Sequence, residues 1–435
     1  MAQGQTRNVS ILRRSHATSG IVSALLSTML FAEFFLPRFA LHFGERQLSI
    51  DAIVTLVSVA MLVLVGGVRP EPGRVGLFCL TTGAMLLSAI LNGGGLTGRV
   101  SAPSFLLLVS MYFAYVFVVP DASGATFEST LRVFRRFSLI VAIAGIVQFA
   151  AQIVVPGPTL FTFESFLPES ILTQSFNFVI PVPGAWELNK SNGFFLLEPS
   201  HFSQLVGLAI IAEMAFFRPS WRLAIQGLAL LLSYSGTGLV VCALFVPMLL
   251  VRRGHGRLVV LGLGGAFILF LFANLIHVTS LLERLSEFDS EQSSAFARFL
   301  SPFYLFRDVV FPHVQSTLFG LGPGSIDPYF NAMDYAVHDP TWGKLFFEYG
   351  LVGTVPFLIF ICRCLFAGAR SVTLSAALFF TYLVLGGNLV DARMEPVMLA
   401  LVAYQSRPRP ATAISGYRSY PVQPQHPDPA AISRS

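Results

Sequence analysis

The chain has 435 residues, of which 54% are hydrophobic and only 12% charged, with a mean hydropathy of +0.69. An average soluble domain carries about twice that share of charge, so a soluble enzyme is excluded and an all-α, polytopic membrane protein is expected. The net charge of +5 comes from arginines at the edges of apolar runs and is no nucleic-acid footprint. Cys79, Cys242, Cys362 and Cys364 have no metal-ligand spacing with histidine, and no disulfide framework is expected of them.

The N-terminus has a basic start and then an apolar stretch without an A-x-A cleavage site, which reads as an uncleaved first helix. A bilayer-crossing helix takes about 20 apolar residues. Apolar runs fall at 19–36, 50–68, 75–92, 102–119, 134–156, 199–217, 221–236, 237–252, 257–277, 344–366 and 371–387. A twelfth, "MEPVMLALVAY", is short and holds Pro396; it is a short or tilted span, or a half-helix. With the N-terminus cytoplasmic and twelve crossings, 19 of the 28 Lys and Arg fall on inner segments and 9 on outer ones, the bias that basic residues show in membrane proteins. The expected organisation is a cytoplasmic segment over 1–18, a transmembrane domain over 19–404, and a Pro-rich tail over 405–435 that reads as disordered.

Two connections are long, 157–198 and 278–343, and both fall outside. Loops of that length are often functional. The first ends in "WELNKSNGFFLLEPSHFSQLVGL". Here Glu198 precedes Pro199 as an acid at the positive end of a helix, a position that serves capping or catalysis. His201 and Ser203 fall just inside that helix, while Lys190 and Asn192 are placed to contact sugar or phosphate. In "LLLSYSGTGLVV", Ser233, Ser235 and Thr237 are expected to hydrogen-bond backbone or a neighbouring helix.

In the second loop Phe296, Phe299, Leu300, Phe303 and Phe306 share helical spacing and suggest an amphipathic helix lying on the membrane. Arg298 falls away from that stripe and Arg307 near it. "FGLGPGS" is no dinucleotide fingerprint, because no strand precedes it; its glycines suit a tight turn. "AVHDPTWGKLFFEYGLVG" opens a long apolar helix. Asp339 reads as its N-cap and Pro340 as its first residue. His338 then sits where free N–H groups favour an anion such as a diphosphate. The same partial charge favours a neutral imidazole, able to accept a proton from a hydroxyl. A histidine with no task beside a helix cap is the plainer alternative. No metal constellation and no run of intramembrane carboxylates is visible. The ionisable groups gather instead at the outer ends of helices, where a lipid-linked polar head group would present itself.

The order of "NGFFLLEPS", "SGTG", "ARFLSPFYLFRD", "LFGLGPGS" and "HDPTWGKLFFEYGLVG" resembles the O-antigen ligase and O-antigen/exopolysaccharide polymerase (Wzy-type) superfamily of bacterial inner-membrane proteins. The resemblance spans about residues 19–404. It implies a GT-C-like glycosyltransferase that uses glycans on undecaprenyl diphosphate and needs no nucleotide sugar or other cofactor. The implied partners are the undecaprenyl-diphosphate-linked oligosaccharide, membrane lipid, a chain-length regulator and export proteins. An Arg and a His in the large outer loop serve the active site of such proteins, which carries over to Arg298 and His338, with Arg307 and Arg284 as weaker candidates. Glu198 is a second candidate base, and Lys190 and Asp339 join the expected substrate contacts. Ligases commonly place an Arg after the Ser of the "SYSGTG" segment, and many relatives have Asn where this chain has Asp339. The first departure argues for a polymerase over a ligase. A lipid-linked-glycan flippase or transporter is the other alternative; it would place polar groups near the bilayer midplane in broken helices.

Overall fold

The computed structural model describes residues 2–44, 46–93, 100–120, 124–155, 158–164, 166–174, 176–182, 185–261, 294–330, 333, 339–387, 389–391 and 393–405. Arg284, His338 and nearly all of the expected tail lie outside these residues, as does the 257–277 run beyond Leu261. Gln405, the first residue assigned to that tail, is buried and donates to the Ala400 carbonyl at 2.7 Å.

The fold is mostly helical. The first five helices are α1 (Ala2–Phe35), α2 (Ile50–Leu64), α3 (Pro72–Gly93), α4 (Ala102–Phe113) and α5 (Ala125–Ala151). After the first long connection come α6 (Pro199–Phe216), α7 (Trp221–Leu232) and α8 (Gly236–Arg252). The late part holds Thr341–Phe366, Val372–Phe380 and Glu395–Met398. Among the described residues α3, α5 and Thr341–Phe366 are long and apolar enough to cross a membrane, and six shorter apolar helices accompany them. Every expected apolar run that is described coincides with a helix. Three small antiparallel strand pairs occur among the described residues: Ala40–Phe43 with Arg46–Ser49, Arg69–Pro70 with Phe117–Val118, and Pro181–Val182 with Ala185–Asn189.

Helix α6 lies at the centre. Thirteen of its residues are buried, as befits a helix surrounded on all sides, and it packs against α5, α7, α8 and Val372–Phe380. Its contact with α8 is backbone on backbone. Ser203 Oγ bonds Thr237 Oγ1 at 2.9 Å and accepts from the Gly238 N–H at 3.1 Å. A Cβ on Gly238 would fall on the Ser203 carbonyl. The small polar residues of "SGTG" are therefore a helix-packing device, as expected of such residues between apolar helices.

The helix Thr341–Phe366 is broken at Gly350, whose φ of 59° and ψ of −164° are not helical. A break frees carbonyls in the preceding turn. Here the glycine turn of "FGLGPGS" satisfies them: the Leu321 and Gly322 N–H groups donate to the carbonyls of Phe347 and Glu348 at 3.0 and 2.9 Å. Ser88 Oγ also donates to the Glu348 carbonyl at 3.0 Å. Gly320, Gly322 and Gly324 all have positive φ, so the expected tight turn forms.

Two expectations need correction. The stripe beginning at Phe296 is not one interfacial helix. It divides into Ser294–Phe299, Ser301–Leu305 and a π-helical turn, Phe306–Val310. Phe303 is 56% exposed while Phe296 and Phe306 are buried, because Phe306 turns inward onto Trp342 and Phe346, with centroids 5.7 and 4.9 Å away. Likewise Pro340, not Asp339, is the N-cap of the late helix. The Asp339 side chain is drawn instead to Lys344 Nζ at 3.2 Å.

Candidate functional site

Two adjoining cavities lie where several helices end together. The smaller, of about 30 Å³, is lined by Glu198, His201, Arg298 and Arg393 among others. That is room for one or two waters. The larger, of about 420 Å³, takes Asp51, Asp339 and Asp391 into its wall with Leu48, Leu107, Met111, Phe176 and Val390. It falls within the size range of ordinary ligand pockets. Glu198, Gly387 and Arg393 line both.

Glu198 reaches this place because it is the extended N-cap residue of α6, with Pro199 opening the helix. Its carboxylate does not cap the helix through a backbone N–H. It accepts from Ser200 Oγ at 3.0 Å and stays at the cavity wall. The loop that delivers it is tied down by Arg38, which is 2% exposed. Arg38 donates to the Leu196 carbonyl at 3.0 Å and to the Phe161 carbonyl at 2.5 Å. Its guanidinium lies between the rings of Phe163 and Phe178, 4.9 and 4.6 Å from their centroids.

Arg298 comes from the other long connection, on the short helix Ser294–Phe299. It is partly buried, and its Nε has no hydrogen-bond partner among the described residues. Burial pushes its pKa below the ordinary arginine range; Glu198 opposes that shift and Arg393 adds to it. An arginine held near another arginine, with donors to spare, is arranged to receive an anion.

Arg393 comes from the turn before Glu395–Met398. It pairs with Asp391 at 2.6 Å and lies over the Phe176 ring, 4.8 Å from its centroid. Burial works against its charge, but Asp391, with Glu198 and Asp339 behind it, outweighs burial and holds its pKa above the usual arginine value.

Behind the smaller cavity, His201 Nε2 lies 2.8 Å from Glu33 Oε1, with both side chains fully enclosed. Glu33 is near the C-terminal end of α1 and Asp51 is in the first turn of α2. No run of carboxylates exists in the sequence, but single acids from separate apolar helices meet here in space.

Of the residues singled out by sequence, Glu198, Arg298 and Asp339 come together around the joined cavities. Lys190 and Arg307 do not line them. The Lys190 N–H donates to the Ile180 carbonyl. Arg307 is 66% exposed and pairs with its neighbour Asp308 at 2.6 Å; that bond holds the Asp308 carboxyl below the usual range. His338 and Arg284 lie outside the described residues. Asn192, expected to touch sugar or phosphate, is wholly buried and bonded to Gln148 at 2.9 Å, so it shapes the loop rather than the pocket.

Sequence reasoning missed Arg38, Arg393, Asp391, Asp51 and Glu33. The available signal was the expense of any charge inside an apolar run; Glu33 in "MLFAEFFL" carries it. Among the described residues no group of three His, Cys, Asp or Glu could hold a metal ion. The chain matches no protein-family model and no curated protein.

Proposed function

We propose that this chain is a multi-pass enzyme of the bacterial inner membrane, with a cytoplasmic N-terminus, that joins undecaprenyl-diphosphate-linked oligosaccharide repeats on the outer face. The observation that supports this reading best is the meeting of Arg298, Arg393 and Glu198. They come from three distant segments to the joined cavities, whose walls hold both carboxylates and apolar side chains. Two guanidinium groups suit a diphosphate. Carboxylates at Asp51, Asp339, Asp391 and Glu198 suit the hydroxyls of a glycan, and the apolar wall suits the start of a prenyl chain.

In the reaction a hydroxyl oxygen of one repeat attacks the anomeric carbon of the other chain. The bond from that carbon to the diphosphate oxygen breaks, and undecaprenyl diphosphate leaves with the electron pair. Arg298 and Arg393 stabilise the charge developing on the leaving group, the kind of contribution that fixed charges make in a dry site. Glu198 accepts a hydrogen bond from the attacking hydroxyl and aims it.

The test is the size of lipid-linked glycans, by mass spectrometry, in a deletion strain complemented with wild type or Arg298→Ala. Single repeats on undecaprenyl diphosphate in the deletion and the variant, with polymer restored by wild type, support the polymerase. Long polymer retained on the carrier in the deletion means a ligase instead.

One observation favours a transporter as the second reading: the break of Thr341–Phe366 at Gly350, since discontinuous helices form substrate sites in transporters. Against it, the carbonyls freed by that break are already bonded to the glycine turn and Ser88. Repeats accumulating on the cytoplasmic leaflet of the deletion strain would establish the transporter.

A further inference from the structure

We propose that His201, held by Glu33, is the proton acceptor of this site. The inference rests on the polymerase reading and assigns the one step that reading leaves open, the destination of the acceptor hydroxyl's proton.

Three observations carry it. First, the pair is formed by elements that meet only in the folded chain: His201 is in the first turn of α6 and Glu33 in the last turn of α1, 168 residues apart, with Nε2 and Oε1 at 2.8 Å. Second, His201 lines the small cavity together with Glu198, Arg298 and Arg393, whereas Glu33 lines neither cavity. Of the pair, His201 is therefore the member that borders the space where a reacting group would sit. Third, His201 Nδ1 is buried and has no hydrogen-bond partner among the described residues, and neither has Glu33 Oε2.

A pair kept only for stability does not look like this. Burying two ionisable groups confers little net stability, and buried polar networks with a structural role are normally satisfied at every atom. A buried ring nitrogen left without a partner, on a residue that borders a cavity of one or two waters, is instead a place for a hydroxyl or its bridging water. The carboxylate sets the tautomer. With Nε2–H donating to Glu33, the Nδ1 lone pair is free to accept.

The step balances. The acceptor hydroxyl gives its proton to Nδ1, directly or through one water, as its oxygen bonds to the anomeric carbon. The diphosphate departs toward Arg298 and Arg393. The imidazolium that remains is neutralised by Glu33 at its other nitrogen, the role a carboxylate plays behind a catalytic histidine. The proton then returns to solvent through the larger chamber. Glu33 touches no substrate and is a positioning residue. The charged groups around the ring that bear on its protonation are Glu33, Arg393, Asp391, Asp51 and Glu198.

The experiment uses the full chain purified into proteoliposomes, with lipid-linked repeats extracted from the deletion strain as substrate. Wild type, His201→Gln and Glu33→Gln are compared for turnover, KM and pH profile, with melting temperature recorded for each. Positioned bases contribute about 10²- to 10⁴-fold. The expected result is a loss of turnover of that order in His201→Gln, KM within about threefold of wild type, and a pH profile without its low-pH limb. Glu33→Gln, close in shape, is expected to lose less turnover and to shift that limb. His201→Gln turning over within about threefold of wild type overturns the inference alone. If that variant does not fold, Glu33→Gln with wild-type turnover and an unshifted limb overturns it. Wild type that leaves the repeats unjoined overturns the polymerase reading, and this inference with it.

Discussion

Arg38 Nε donates to the carbonyl of Leu196 at 3.0 Å across 158 residues of sequence. Through that bond and its partner at Phe161, one buried guanidinium fixes the loop that carries Glu198, two residues further on. Replacing Arg38 by Ala leaves two buried carbonyls unpaired, at about 1–3 kcal/mol each, and removes the cation between two rings. The expected outcome for Arg38→Ala is a lower melting temperature in detergent, together with reduced polymer yield at equal expression. Arg38→Lys recovers only part of either, since one ammonium cannot reproduce the planar fork.

Arg298 Nε has no hydrogen-bond partner among the described residues. Its loss should therefore affect chemistry more than folding. Arg298→Ala is expected to reduce turnover by about 10²- to 10³-fold, the range for removing one charge-stabilising donor. Its melting temperature should stay near that of wild type. Turnover measured beside a thermal scan separates the two; normal turnover would remove Arg298 from the site.

Gly238 allows α8 to touch α6. A methyl group there meets the Ser203 carbonyl and the Leu230 side chain. Overpacking of this kind costs about 1–3 kcal/mol or more. Gly238→Ala should melt at lower temperature and lose yield in the membrane, whereas Gly236→Ala, with nothing within 4 Å of the added carbon, should match wild type. A thermal scan of both checks the contrast.

Glu71 predicts an acid-dependent stability. Burial raises its pKa, but the Arg74 N–H at 2.8 Å and the Arg363 guanidinium at 3.3 Å outweigh burial and hold the carboxyl below its ordinary value of 4.5. A carboxyl with a lowered folded-state pKa contributes stability above its unfolded pKa and loses it as pH falls through the folded value. Melting temperatures of wild type and Glu71→Gln should differ by a constant amount at neutral pH. The gap should close below about pH 4.5, the unfolded value for such a carboxyl. A gap unchanged down to pH 3 would show that Glu71 does not act through its charge.

The helices were legible before the fold was known, because apolar length is a local property: the described runs from 19–36 to 371–387 coincide with helices. The turn at Gly320–Gly324 was legible for the same reason, since positive φ is a matter of one residue. Glu198 could be singled out because it precedes a proline at a helix start, and Arg298 because the order of motifs resembles a family with an arginine in its large outer loop. What misled was periodicity across Pro302 and a cap assignment one residue early at Asp339. In both cases a tertiary partner, Trp342 with Phe346 in one and Lys344 in the other, outweighed the local pattern.

Composition by itself determined that the chain is built of apolar helices and that its few charged groups stand mostly at or near their ends. Only the tertiary structure decided which polar residues meet. Glu33, Asp51, His201, Arg298 and Arg393 carry no shared motif or spacing, and each looks like an isolated cost when read along the chain. Burial of charge is tolerable only where opposite charges or hydrogen-bond partners converge. That convergence depends on which helix ends fold to the same place, a property that no local stretch of sequence contains.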